Sequence, residues 1–504
     1  MIPVLTSANV HEIDSRCEDE YGLSSAILME NASRSAVEVL RELLPMTRAR
    51  VLIACGNGNN GGDGYAIARL LSDWCTVTVL GDGPNDSQSE AAQLQAAVAA
   101  SLVPIHPWSE APRLCSRSWD VVIDAIIGVG GSAHLRPEAA MLCAMLDNVA
   151  ALKIAIDVPT GLDATSGHAH ADAFVAHHTI TMVAPKAGMY LHDGPKHCGV
   201  IHTASIGAPA STVESVHPVA RILEPSDIAS LLPPRQPSAT KFDMGRVLVV
   251  GGCRSMPGAP SLAAHAAVVA GAGLVELAST MIHPATPREV MPTIVPATRA
   301  GTISAEALPV LIERARKATV IVVGPGLSRV EETIDTIGAF LREIDPATPV
   351  VLDADGIAAF PFDAPFRTNM VITPHTGEFA GATGRSVADV AHAPLEAATE
   401  TAKKTGCTIH LKHTPSITSN GVDAFFSVLA VPEMASGGMG DVLSGIIAAC
   451  IAQGVHRQQF GLAGACALAA YLHARSGQQA ARRTNGPAVT ASMVIDALPF
   501  AFAE

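Results

Sequence analysis

The sequence predicts an α/β protein of two different domains, the first of them a doubly wound sheet. Short β-branched runs alternate along the chain with Ala- and Leu-rich stretches of helical spacing, the pattern of βαβ units and parallel sheets. At 504 residues the chain exceeds the ~250–300 at which single cores stop growing. With only 12 Phe, 3 Trp and 4 Tyr, its cores fall to Ala, Val, Ile and Leu, which suits strands buried on both faces.

In the first half the strands fall at 51–55 (VLIAC), 76–80 (TVTVL), 121–127 (VVIDAII), 153–158 (KIAIDV) and 179–183 (TITMV), with helices at 65–73, 89–100 and 137–149. Two more helices, at roughly 7–20 and 24–43, precede them, because apolar residues recur there at helical spacing. The second half has strands at 246–250 (RVLVV), 320–323 (VIVV), 350–352 (VVL), 370–373 (MVIT) and 408–412 (TIHLK), and ends in Ala-rich helices. Between them lies the Pro-rich stretch 207–240, with one short helical pattern at about 226–231. It sets the domains at 1–215 and 216–504.

Lys and Arg number 33 against 47 Asp and Glu, a formal charge of −14, which excludes a general basic surface for nucleic acid. A local phosphate pocket made of backbone N–H groups is untouched by that sum. The 10 cysteines are scattered singly with no C-x-x-C pair, so reduced thiols in a cytoplasmic protein are expected rather than disulfides or zinc. No stretch reaches the ~18 apolar residues of a membrane span. The expected partners are small molecules, with no nucleic acid and no membrane, and the expected assembly is a homo-oligomer.

After the strand 51–55 comes Gly56-Asn57-Gly58-Asn59-Asn60-Gly61-Gly62-Asp63-Gly64, with a helix expected to begin near Tyr65. Five glycines in nine residues let backbone amides approach a ligand, and the helix N-terminus behind them favours phosphate. A tight strand-to-helix turn is the plainer alternative. Asp124, in VVIDAIIGVGG, and Asp157, in KIAIDVPTGLD, lie at the carboxyl ends of apolar runs, which converge on one crevice in a doubly wound sheet. Either carboxylate alone could equally cap a turn. Asn60, Asp124 and Thr160 together offer hard oxygen donors for a cation.

These three motifs, GNGNNGGDG, IDAIIGVGG and IDVPTGLDATSG, resemble those of the NAD(P)H-hydrate epimerase family over most of residues 1–210. That family acts on NADHX and NADPHX, cofactors in which water has added across C5–C6 of the dihydronicotinamide ring. The resemblance implies a Rossmann-like domain and K⁺ bound by Asn60, Asp124 and Thr160. It also implies substrate contacts from Asn59, Asn60, Gly61, Gly62 and Asp63, from Gly128, Val129, Gly130, Gly131, Ser132, Ala133 and His134, and from Asp157. Because the C6 hydroxyl sits beside a ring nitrogen whose lone pair assists its opening or loss, an acid–base carboxylate that moves one proton, with a fixed cation nearby, would suffice to interconvert the epimers. Asp157 is the candidate.

The strongest signal is Ala435-Ser436-Gly437-Gly438-Met439-Gly440-Asp441-Val442-Leu443-Ser444-Gly445 ahead of an apolar helix. Glycines at a helix start can form an anion hole for a phosphate in flight, with Asp441 in the first turn placed to take a proton from an attacking hydroxyl. A purely structural role against the helix dipole is also open to it. G-x-G-D here resembles the ribokinase-like superfamily. TKFDMGRVLVVGG, MPGAPSLAA, VVGPGLS, VLDADG and ITPHTGEF look like its ADP/ATP-dependent NAD(P)H-hydrate dehydratase branch over roughly 225–500.

The pair of domains in this order resembles the bifunctional NAD(P)H-hydrate repair enzymes. It implies ADP as phosphoryl donor with Mg²⁺, hydrate contacts from Ala259, Gly326, His375 and Asp441, and adenine-nucleotide contacts from Lys412, His413, Thr414, Pro415, Ser416 and Gly440. His413 departs from the Lys-Gly usual in the family and puts a side chain where backbone approaches the nucleotide. His375 could instead belong to an ordinary turn set by Pro374 and Gly377. Two other readings compete: a ribokinase-like kinase for a small alcohol, and an N-terminal domain that is only an interaction module.

Overall fold

Strand Arg50–Cys55 sends Val51 and Ile53 to one face and Leu52 and Ala54 to the other, and each of these is fully buried. A strand apolar on both sides has to be covered twice, by helices above and below the sheet. In the computed structural model, which describes residues 1–44, 48–363, 366–484 and 486–502, that is what surrounds it. Val51 and Ile53 join a cluster with Val10, Ile13, Leu28 and Ile67 from three helices, while Leu52 and Ala54 join Leu142, Leu146, Trp119 and Phe174 on the opposite face.

The chain divides into two compact units, Ile2–Ala220 and Arg221–Glu504 together with Met1. The N-terminal unit holds a parallel sheet in the spatial order Ile105–His106, Thr76–Leu80, Arg50–Cys55, Val121–Ala125, Leu152–Ile156, His178–Met182 and Val200–Ala204. Chain order reverses between Arg50–Cys55 and Val121–Ala125, so the loops leaving these two strands diverge and open a crevice.

Three expectations about this unit are corrected. The helix after the first strand starts at Asn59, not near Tyr65, and runs Asn59–Leu71 with Gly58 as its N-cap. Its glycines serve close packing rather than loop freedom: a Cβ on Gly61 would lie 1.9 Å from the Gly56 carbonyl oxygen, and one on Gly64 would lie 2.6 Å from Ala125 Cβ. The strand expected to reach 127 ends at Ala125, because side chains intercept the next donors: Ile126 N donates to Asp124 Oδ1 at 3.1 Å and Ile127 N to Thr160 Oγ1 at 3.0 Å. The strand expected to reach 158 ends at Ile156, where Asp157 turns the chain with φ +66°.

In the C-terminal unit the parallel strands lie in the order Thr408–Leu411, Met370–Ile372, Val350–Leu352, Val320–Val323, Arg246–Val250, Leu274–Ser279 and Val290–Ile294. Ser416–Ser419 and Ala424–Ser427 extend the sheet antiparallel beyond Thr408–Leu411. Sequence patterning missed the hairpin and the strands after 273. Helix Met439–Ala452 packs on Gly258–Val269, where a Cβ on Gly445 would lie 2.1 Å from the Ala263 carbonyl oxygen, and Gly461–Thr484 and Ala491–Ala501 complete the layer. Among the described residues, no helix is long and apolar enough to cross a membrane.

Gly61→Ala is expected to destabilise the N-terminal unit by roughly 1–3 kcal/mol, since backbone must move to admit the methyl. Gly58→Ala, with open space around its Cβ, should be near neutral. Calorimetric melting of both variants checks this, and equal melting temperatures would contradict the close approach.

Candidate functional sites

The carboxyl ends of the N-terminal strands deliver Asp124 and Asp157 a few residues from the glycine-started helix. Asp124 is fully buried. Its Oδ2 accepts from Thr160 N at 2.7 Å, and its Oδ1 accepts from Thr160 Oγ1 at 2.7 Å as well as from Ile126 N. Burial pushes its pKa up to about 6, with the hydrogen bonds from Thr160 and Ile126 pulling the other way. Among the described residues, no cationic side chain hydrogen-bonds to it. Asn60 lies nearby with its amide against Ile156 O and Gly128 N, 3.2 Å from each, its oxygen toward the N–H.

Asp157 sits beyond the strand end with both carboxylate oxygens engaged. Oδ2 accepts from Val129 N at 2.8 Å, and Oδ1 takes an ion pair from Lys186 Nζ at 2.5 Å. Lys186 is wholly buried and spends its other donors on Thr181 Oγ1 (2.7 Å) and Met182 O (3.0 Å). Gly128 must be glycine here, because a Cβ would stand 2.7 Å from Asp157 Oδ2 and 3.1 Å from Asn60 Cγ.

These groups border a cavity of about 1020 Å³ walled by Asn59, Asn60, Asp63, Gly128, Val129, Gly130, Gly131, Ser132, His134 and Asp157, together with Asp14 from helix Ser7–Tyr21. Gly61 and Gly62 face inward, against Gly56 and Met29, and Ala133 is not part of the wall. The carboxyl of Asp63 is pushed well above the ordinary range by burial, then by Asp157 and Asp14. Lys186 and Asp14 escaped the sequence reading. A solitary lysine in the apolar run MVAPKAGM signals a buried pair, and Asp14 interrupts the stripe Val10, Ile13, Cys17 that buries its helix.

In the C-terminal unit, Gly438 caps helix Met439–Ala452 with φ +89°, a left-handed turn that favours glycine. Asp441 stands in the first turn, its pKa pushed up to about 7 by burial and then by Asp353, with Lys412 pulling it down. Asp353, from VLDADG, is the buried hub behind the loop. Its Oδ1 accepts from Lys412 Nζ and Thr373 Oγ1, and its Oδ2 from Ser444 Oγ, each at 2.7 Å. Burial raises its pKa, but the Lys412 charge and these hydrogen bonds outweigh that and hold it below the usual carboxylate value. A Cβ on Gly440 would lie 3.2 Å from Lys412 Nζ, so the lysine runs directly beneath the glycine loop.

Lys412 N donates to Pro374 O at 2.8 Å, which draws ITPHTGEF alongside. His375 caps helix Thr376–Thr383: its Nδ1 accepts from Gly377 N at 3.0 Å and Glu378 N at 3.2 Å, leaving Nε2 on an exposed side chain 3.5 Å from Glu378 Oε1. The ordinary-turn reading of this histidine therefore has its geometry, and Nε2 is still presented outward. Gly326, at φ +66°, and Ala259 approach closely enough that a Cβ on the former would meet Ala259 Cβ at 3.3 Å. His413 is half-buried with Nδ1 lacking a hydrogen-bond partner among the described residues; Thr414 is exposed, Pro415 is buried, and Ser416 Oγ donates to His413 O at 3.1 Å.

A family profile described as NAD(P)H-hydrate dehydratase matches residues 247–499, and one described as YjeF-related protein N-terminus matches 25–188. The bifunctional NAD(P)H-hydrate repair enzyme Nnr of Moorella thermoacetica is 34% identical over 99% of this chain and 96% of its own length. Its counterpart from Coxiella burnetii is 32% identical over 95% of each chain. A ribokinase-like superfamily protein from Enterococcus faecalis superposes with a TM-score of 0.50 at 25% identity, covering 56% of this chain and 95% of its own.

A carboxyl whose pKa is higher folded than unfolded supports the fold below its unfolded value and loses that contribution as pH climbs through the folded one. Asp441→Asn is therefore expected to melt above wild type at about pH 8 and to lose the advantage toward about pH 4. A melting difference that does not change with pH would place that carboxyl in bulk water.

Proposed function

The chain belongs to the bifunctional NAD(P)H-hydrate repair enzyme family, and from that premise we propose that residues 1–215 interconvert the R and S hydrates while residues 216–504 return the S form to NAD(P)H with ADP. The observation that carries the second half is Asp441. It stands in the first turn of a glycine-capped helix, with a pKa of about 7, in a unit matched by a dehydratase profile.

In this reading Asp441 deprotonates the C6 hydroxyl, which attacks the terminal phosphate of ADP while backbone N–H groups of Gly438–Gly440 receive the negative charge. Phosphate is then the leaving group. The ring nitrogen expels it, a proton leaves C5, and NAD(P)H, AMP and phosphate result. Lys412, held by Asp353, keeps a positive charge under the loop. Ala259, Gly326 and His375 Nε2 are assigned to the hydrate, and Lys412 to Ser416 with Gly440 to the nucleotide. Among the described residues, no three His, Cys, Asp or Glu side chains are grouped to hold a metal, so Mg²⁺ is taken to travel with the ADP phosphates.

In the first half Asp157, kept beside Lys186, is assigned as an acid–base carboxylate for the C6 hydroxyl. The wall residues Asn59, Asn60 and Asp63, with Gly128 to Ser132 and His134, are assigned to the rest of the substrate. Asn60, Asp124 and Thr160 fit potassium: every donor is an oxygen, and the only charge is one buried carboxylate without a cationic partner. A bound monovalent ion would supply the missing positive charge. A homo-oligomer in the cytoplasm completes the reading, in keeping with ten free cysteines.

Given mixed hydrate and ADP, the wild type should convert nearly all of it to NADH, followed by absorbance. Asp441→Asn should lower that rate by roughly 100- to 10,000-fold and leave epimerisation intact, and wild-type dehydration should rise with pH through about 7 as the base deprotonates. Loss of both activities in a folded Asp441→Asn would overturn the division of labour. Epimerisation should also fall when Na⁺ replaces K⁺ and should survive chelation of divalent ions; undiminished activity without K⁺ would remove Asn60, Asp124 and Thr160 from the metal role.

A further inference from the structure

Epimerisation at C6 moves an oxygen from one face of a ring to the other, so a mechanism that breaks and remakes the C6–O bond needs a proton donor on one side and an acceptor on the other. Asp157 can serve one of these. Its two oxygens are already tied, to Val129 N and Lys186 Nζ, so it stays in one orientation. Besides Glu18, Asp82 and Glu138, the cavity wall carries Asp14 on helix Ser7–Tyr21 and Asp63 on helix Asn59–Leu71, and electrostatics couples these two to Asp157.

Asp63 is the poorer proton carrier. Burial, then Asp157 and Asp14, drives its pKa well above the carboxylate range, against a hydrogen bond from Ser33 that pulls it down. Asp14 differs on both counts. Its carboxyl makes no hydrogen bond with any described residue, and it is partly buried on the cavity wall. Burial brings its pKa to about 6; His11 and Lys186 pull it down and Asp157 pushes it up, while Asp63 and Cys17 are the other titratable groups coupled to it. Such a group can both give and take a proton near neutrality. It is carried by helix Ser7–Tyr21, whereas Asp157 follows the end of strand Leu152–Ile156.

Resting on the epimerase assignment above, we propose that Asp14 is the second catalytic residue of the N-terminal unit, the acid–base partner of Asp157. As the C6–O bond of one epimer breaks, the Asp14 carboxylic acid protonates the departing hydroxyl and releases it as water. The electron pair of that bond leaves with the oxygen, and the N1 lone pair forms an N1=C6 bond. Water then adds to the other face of C6, gives its surplus proton to the Asp157 carboxylate, and the N1=C6 pair returns to nitrogen. The opposite epimer runs the same steps in reverse, and exchange with solvent restores both carboxyls.

The test follows separated R and S hydrates in the full chain. Asp14→Asn is expected to lower kcat for epimerisation by roughly 100-fold with KM changed less than about threefold, while Asp14→Glu recovers about a tenth or more of the wild-type rate. In water labelled with heavy oxygen, wild type should put label into the hydrate with each epimerisation event, and Asp14→Asn should slow label entry and epimerisation together. Wild-type kcat in Asp14→Asn overturns the proposal. So does a matching loss in Asp14→Asn and Asp14→Glu with a raised KM, since that marks a structural role. If the wild-type chain does not epimerise at all, it is the epimerase assignment that fails.

Discussion

A carboxylate taken out of water at the end of a strand must be answered within a few ångströms, because the cost of leaving it bare exceeds what any nearby packing can return. Each unit of this chain has one, and each answers it differently. Asp353 receives an ammonium and two hydroxyls, and the ion pair is complete within the protein. Asp124 receives a backbone N–H and the hydroxyl of Thr160 with a second N–H from Ile126, all of them uncharged donors. The first arrangement fixes a lysine under the glycine loop. The second fixes the geometry of two strand ends and leaves the carboxylate with no cationic side chain bonded to it among the described residues.

The rest of each site hangs on these anchors. Thr160 can reach Asp124 because the chain reverses sharply at Asp157, and that same reversal aims the Asp157 carboxylate at Val129 N and Lys186. In the C-terminal unit, Ser444 lies one helical turn past Gly440, its single hydroxyl proton within reach of both Asp353 Oδ2 at 2.7 Å and the Gly440 carbonyl at 2.9 Å. The start of helix Met439–Ala452 is therefore pinned to the end of strand Val350–Leu352. Backbone donors held this stiffly need no reorganisation if charge develops beside them.

Much of this was legible in the sequence, and the limits have physical causes. Apolar runs fixed the central strands closely, because strands buried on both faces admit little else. Asp441 was placed in its first turn because a glycine-rich start before an apolar helix has few other forms. The helix start at Asn59 was misread because glycine marks two opposite things, conformational freedom and the absence of a Cβ. Only the three-dimensional neighbours, Gly56 O and Ala125 Cβ, say that the second applies. Lys186 and Asp14 were missed because their meaning comes from Asp157, 29 residues before Lys186 and on a different element from Asp14, which no local pattern connects to either. The strands after 273 carry Glu276 and Pro292, which break the apolar signal. Glu276 is buried there only because Arg246 on the neighbouring strand and Arg314 neutralise it.

Asp157 occupies a left-handed backbone conformation that costs an ordinary L-residue roughly 1–2 kcal/mol and costs glycine almost nothing. Glycine at 157 would relieve that strain, but it would also strand the wholly buried Lys186 ammonium, and breaking a buried ion pair costs roughly 3–5 kcal/mol. Directed evolution for heat resistance alone would therefore keep the strained aspartate for the sake of the lysine or exchange both together, so neither residue is a free position for hardening this scaffold.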